Sequence, residues 1–224
     1  MNRTKRTATA IGICLALLLT LPAVADQGNP AVYTLNAQLL AGARAGDADA
    51  VRRLMEQGAS INSRNRGGNT ALLMFAQQGN VEMVDYLLQS GADIDLANLD
   101  KVTPLMAAAH AGHTDMARLL IDRGARLDAE DRVFKTAMVY AAGSGNDEIV
   151  GMLLEAGIDV NQRYRHQLTA LMWAAGYGRG DTVRLLIQRG ADVSLRDDRG
   201  KTALDIAREA GHGEVVELLA ADGN

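Results

Sequence analysis

Cysteine, proline and aromatic residues are scarce in this chain: its 224 residues include one cysteine, three prolines, one tryptophan and two phenylalanines. A lone Cys14 excludes a disulfide framework within the chain and a thiolate-rich zinc site. Positive charge is also in deficit, with 23 Lys and Arg against 27 Asp and Glu, which argues against bulk nucleic-acid binding. Long apolar runs are missing except for one, from about Ala10 to Leu21, and it falls short of the roughly 20 residues a spanning helix needs. Apolar residues still make up 48% of the chain, enough for a globular protein with a buried core.

Arg3, Lys5 and Arg6 precede the apolar run, and Pro22 with Ala23-Val24-Ala25 follows it. This is the pattern of a secretory signal peptide, with cleavage expected after Ala25. An uncleaved anchor is the weaker reading, because the run is short and ends in proline. Cys14 is a poor lipidation site, since Ile13 stands where lipoprotein signals prefer a small residue. The expected exported chain has no cysteine and carries 20 basic against 27 acidic residues, a net charge of −7. Its expected location is the periplasm, with secretion as the alternative.

Internal periodicity organises everything that follows. Thr70, Thr103, Thr136, Thr169 and Thr202 recur at intervals of 33. Gly46, Gly79, Gly112, Gly145, Gly178 and Gly211 keep the same step, as do Gly58, Gly91, Gly124, Gly157, Gly190 and Gly223. Such a period signals a stacked solenoid. In TPLMAAAHAGH, Thr103 can cap a helix, Pro104 suits its first position, and Leu105, Ala108 and Ala109 give it an apolar face. Gly112 ends that helix, a second follows in TDMARLLIDRG, and Gly124 ends the second in left-handed backbone. A loop or hairpin of about nine residues then leads to the next threonine.

TPLMAAAHAGH, TALMWAAGYGR and TALDIAREAGH resemble the T-P-L-H-x-A opening of the ankyrin repeat family, and QSGADIDLANLD and QRGADVSLRDDRG resemble its hairpin. The resemblance implies an all-α repeat solenoid of six stacked units over residues 37–224, after a signal peptide at 1–25 and a lead-in at 26–36. The first unit lacks the threonine and carries Arg44, Arg52 and Arg53; the last puts Asp205, Arg208 and Glu209 on its first helix. Both suit polar end caps. Two departures carry expectations. Leu73, Met106, Val139 and Met172 replace the family's histidine, so apolar packing takes over from histidine hydrogen bonds. Lys101, Phe134 and Gln167 replace the turn glycine kept at Gly68 and Gly200, so a different turn is expected in the middle three hairpins.

Catalysis finds no constellation to work with. His113 and His212 fill the repeat's own Gly-His position, while His110 and His166 lie at a helix end and a hairpin tip without the partners a zinc site assembles. The pairs Glu130-Asp131 and Asp197-Asp198 read as solvated turn residues. The glycine-rich AAGYGRG beginning at Ala174 suggests a phosphate loop, but Gly178 belongs to the repeat series and Asp181 stands where a dinucleotide fingerprint needs glycine. Tyr177 remains there, in what reads as a loosened loop. No catalytic residue, metal or cofactor is expected.

The resemblance implies instead a concave binding face of hairpin tips and inner helices. The implied contacts are Arg64, Arg66, Leu99, Arg132, Phe134, Arg163, Tyr164, Arg165, His166, Trp173, Tyr177, Arg196 and Arg199. Positive charge on the tips of an acidic chain either steers a partner with an acidic patch or keeps exposed hairpins soluble. Phe134 and Tyr164 gain little from turn chemistry and read as partner contacts. Tyr140 and Trp173 align one repeat apart on the inner helices, where packing is the favoured role. The expected protein is a monomeric, non-enzymatic partner-binding module, such as an accessory factor for an envelope or stress-defence enzyme. Alternatives are an immunity protein neutralising a toxin and a binder of an anionic small molecule or polymer.

Overall fold

In the computed structural model, which describes residues 30–222, each threonine of the 33-residue series starts a helix. The hydroxyls of Thr70, Thr103, Thr136, Thr169 and Thr202 accept the N–H three residues on. Losing one such cap costs about 1 kcal/mol. The expected signal peptide lies outside the described residues.

The helices form two layers. Inner helices α1 (Pro30–Ala45), α3 (Ala71–Gln78), α5 (Pro104–Ala111), α7 (Ala137–Ser144), α9 (Ala170–Gly176) and α11 (Ala203–Ala210) stack in sequence. Outer helices α2 (Ala48–Glu56), α4 (Val81–Gln89), α6 (Thr114–Asp122), α8 (Asp147–Glu155), α10 (Gly180–Gln188) and α12 (Gly213–Asp222) back them. Among the described residues there is no strand. Small residues such as Ala108, Ala141 and Ala174 are fully buried between inner helices, where a longer side chain would push neighbours apart. Leu73, Met106, Val139 and Met172 are buried too, so apolar packing does replace the family's histidine.

The residue before each of the last four outer helices, α6, α8, α10 and α12, ties repeats together. His113 Nε2 lies 3.0 Å from the Gln77 carbonyl, Asn146 Nδ2 donates to Ala109 at 2.7 Å, Arg179 Nε to Gly143 at 3.0 Å, and His212 Nε2 lies 3.1 Å from the Gly176 carbonyl. These bonds satisfy carbonyls left open at the ends of the inner helices. A Cβ on Gly79 would stand 2.9 Å from the His113 ring, and one on Gly178 would stand 2.7 Å from that of His212. Both glycines therefore serve close approach as well as positive φ.

At the N-terminus the first helix runs through the expected lead-in. The lead-in is helical from Pro30, and α1 has 16 residues where α3 has 8. Its extra turns serve the first hairpin as a preceding finger serves the next: Asn36 Oδ1 accepts the Ser60 N–H at 2.7 Å, as Asn62 Oδ1 accepts that of Asp93 one repeat on. At the other end, the Asp205 carboxylate accepts the N–H and hydroxyl of Thr202, closing a capping box. AAGYGRG holds no loosened loop either; Tyr177 caps α9, and α10 starts at Gly180.

Candidate partner-binding face

The hairpins, hereafter fingers one to five, are built on one turn. Asn65, Asn98, Asp131 and Asp197 each accept two backbone N–H groups, two and four residues ahead, at 2.8–3.0 Å. These bonds bury Asp131 and Asp197 to 5% and 6% exposure, so neither is the solvated residue expected. Burial alone would raise the Asp197 pKa, but the Lys201 N–H and the Arg199 guanidinium and N–H outweigh it and hold the carboxyl below its ordinary range. Lys101 and Phe134 keep the turn at φ 61° and 64°, matching Gly68 at 78°. The expected change of turn is therefore wrong for fingers two and three: the acceptor side chain dictates the turn, and the strain of a left-handed Lys or Phe is tolerated.

Only finger four departs. Tyr164 stands where the others carry Asn or Asp, and without that acceptor Arg165–Gln167 forms a 3-10 turn with His166 and Gln167 both at positive φ. Tyr164 is 7% exposed, with its hydroxyl buried and unpartnered, and burial pushes its pKa up to about 12. It is a core residue, not the expected partner contact: its ring fills space behind the finger instead of making the turn.

Most of the expected arginines also have structural duties. Arg64 donates to the Gly68 and Ala97 carbonyls, Arg163 to Arg196 O at 3.0 Å, and Arg196 to Gly200 O at 2.7 Å. Arg199 pairs with Asp197 at 2.7 Å, Lys201 pairs with Glu209, and His166 Nδ1 meets Asp198 at 2.7 Å. Among the described residues, Arg66 and Arg132 have no side-chain hydrogen bond or ion pair. The positive stripe is thus narrower than the sequence suggests, because finger carbonyls consume several guanidinium groups.

What converges is an aromatic group across repeats three to five. The His110 ring meets Tyr140 edge-on at 5.2 Å, and the Tyr140 hydroxyl donates to Asp131 at 2.5 Å. Burial first, then this bond, pushes the Tyr140 pKa well above its ordinary value. Lys135 Nζ lies 5.4 Å from the Tyr140 ring centre and 5.1 Å from that of Trp173. Trp173 stacks on Tyr177 with centroids 6.0 Å apart and planes 13° from parallel, and the indole N–H is buried without a partner. Beside them Arg165 covers the Phe134 ring at 4.2 Å. Phe134, Tyr177, Leu99 and Val133 remain 44%, 50%, 53% and 59% exposed. Val133 and Lys135 are among the tip positions that the family resemblance implies for the binding surface, and Lys135, directly before the capping Thr136, borders the inner helices.

This surface offers a cation over aromatic faces and apolar side chains in water, which suits recognition rather than catalysis. His110 and His113 do not converge, since one meets Ser144 and the other the Gln77 carbonyl. Among the described residues no group of His, Cys, Asp and Glu could hold a metal ion, and no helix is long and apolar enough to cross a membrane.

A solenoid of capped helix pairs with stacked fingers defines a repeat protein whose surface binds other molecules. A family model described as ankyrin repeats (3 copies) matches residues 14–98, 39–131 and 90–164, and one described as ankyrin repeats (many copies) matches residues 153–207. The chain belongs to the ankyrin repeat family. No curated protein matches it. Ankyrin repeats in general are protein–protein interaction modules and typically non-enzymatic scaffolds.

Proposed function

We propose that this protein is exported to the bacterial envelope and there binds a partner protein through the concave face of repeats three to five. The observation that carries the reading is the Lys135, Tyr140, Trp173 and Tyr177 group, flanked by Phe134 under Arg165. Rings and cations of this kind, half-exposed at the centre of a rigid surface, are the material of binding hot spots. Arg132, which pairs with no carboxylate among the described residues, favours a partner with an acidic patch by orienting its approach. The role that fits is an accessory or stabilising factor for an envelope or stress-defence enzyme.

Crosslinking in the native envelope followed by capture of the protein tests this. Phe134→Ala/Tyr177→Ala and Lys135→Glu are expected to reduce recovery of the captured partner about tenfold or more, the loss of one hot spot. Equal recovery by both variants would remove the face from consideration.

A further inference from the structure

Among the described residues the finger stack has an open end, shaped as a cleft. In the stack, Leu99 N donates to Gly67 O at 3.0 Å, Arg132 N to Asp100 O at 2.9 Å, and Asp198 N to His166 O at 3.0 Å. The equivalent donor of finger one is the Arg66 N–H, and it has no acceptor among the described residues. Asn36 of α1 completes the base of that finger. Between them lies a cleft of about 970 Å³, walled by Val32, Tyr33 and Leu40 of α1 and by the finger itself. Tyr33 is 78% exposed, and the Ser63 hydroxyl at the cleft is buried without a partner. Three arginines, Arg44, Arg64 and Arg66, line the cleft and no acidic residue does.

We infer that this cleft binds a short acidic polypeptide segment of a partner as a surrogate finger. The segment would present a carbonyl to the Arg66 N–H, as Asp100 does to Arg132, and an apolar side chain to Val32, Leu40 and Tyr33. Main-chain pairing supplies the register, and the arginines select acidic sequences. Three of the solenoid's own fingers already show the chemistry: fingers two, three and five each rest on the preceding finger through one backbone bond at the tip and one side-chain acceptor at the base. The site is independent of the aromatic face on repeats three to five.

The probe is a synthetic peptide copying residues 93–102 of this chain, DIDLANLDKV, which carries Asp100 and more acidic than basic side chains. Titrated into the isotopically labelled protein, it is expected to shift the Arg66 amide and the α1 residues Tyr33 and Asn36 in amide NMR spectra. Arg66→Glu and Tyr33→Ala, both surface substitutions, are each expected to weaken binding about tenfold, whereas Phe134→Ala/Tyr177→Ala leaves it unchanged. A peptide of scrambled order with Lys for Asp does not bind. Four results would overturn the inference: no shifts at millimolar peptide, shifts at Arg165 instead of Arg66, loss of binding in the Phe134→Ala/Tyr177→Ala variant, or the same shifts on concentrating the protein without peptide. The third would assign the peptide to the aromatic face and the fourth would assign the cleft to a second copy of the chain.

Discussion

Phe134 is costly where it stands. A non-glycine residue in left-handed backbone loses about 1–2 kcal/mol, and glycine's greater freedom in the unfolded chain returns about half of that on substitution. Phe134→Gly and Lys101→Gly are therefore each expected to stabilise the protein by about 0.5–1 kcal/mol in urea titration, since both hold φ above 60°. Only Phe134→Gly should also lower partner capture. A variant that gains stability and keeps full capture would mean the ring has no part in binding, and its strain would lack an explanation.

Asp197 makes a complementary case in which charge matters little at neutral pH. Its folded pKa is depressed, so its contribution is fully present above the ordinary carboxylate range and is lost as pH falls through the lower folded value. Asn65 and Asn98 build the same turn without charge, and Arg199, the ion-pair partner, is 56% exposed. Asp197→Asn is expected to cost less than about 1 kcal/mol at pH 7, and the difference is expected to disappear once the pH has fallen below the depressed folded pKa. Stability curves of the two proteins that stay parallel throughout acid titration would contradict the assignment.

Among elements, the junction between fingers three and four is the weak one. Base bonds join Asp93 to Asn62, Arg126 to Asp95 and Asp192 to Asn161, but the Asp159 N–H has no such partner. The Arg165 N–H likewise lacks the tip bond that Asp198 makes. A cavity of about 230 Å³ bordered by Asp128, Thr136, Gln162 and Tyr164 lies at this junction. Tyr164 explains the fault: it removes the turn acceptor and places a ring where the finger would close. Amides of Asp159 and Arg165 are expected to exchange with solvent about tenfold faster than those of Asp192 and Asp198, their repeat equivalents. Equal protection would show that the junction is closed by bonds other than those described.

Across the whole molecule, each repeat touches only its neighbours, so the position of a defect decides its reach. Leu120→Ala in α6 empties a fully buried site between repeats and is expected to cost about 2–5 kcal/mol of global stability. The same change at Leu219 in α12, which among the described residues packs on α10 and α11, should fray that repeat first. Local exchange of the α12 amides at unchanged global stability would be its signature.

The repeat fold was legible in the sequence because its signals are local. A threonine capping a helix, a glycine ending one and an Asx side chain closing a turn act within four residues, and a period of 33 repeats each of them. Sequence also sufficed to place Phe134 and Tyr177 on the surface and to read His113 and His212 as structural. What it could not decide was which tip residues remain available. Arg64, Arg163 and Arg196 spend their guanidinium groups on carbonyls, two of them one repeat away, and Tyr164 is buried, as Asp131 and Asp197 are at the same position of their repeats. The cleft beside α1 arises likewise, from a helix running past its repeat boundary. Local backbone chemistry determines the architecture; the partners of long side chains lie about 33 residues away, and only the tertiary stack brings them within reach.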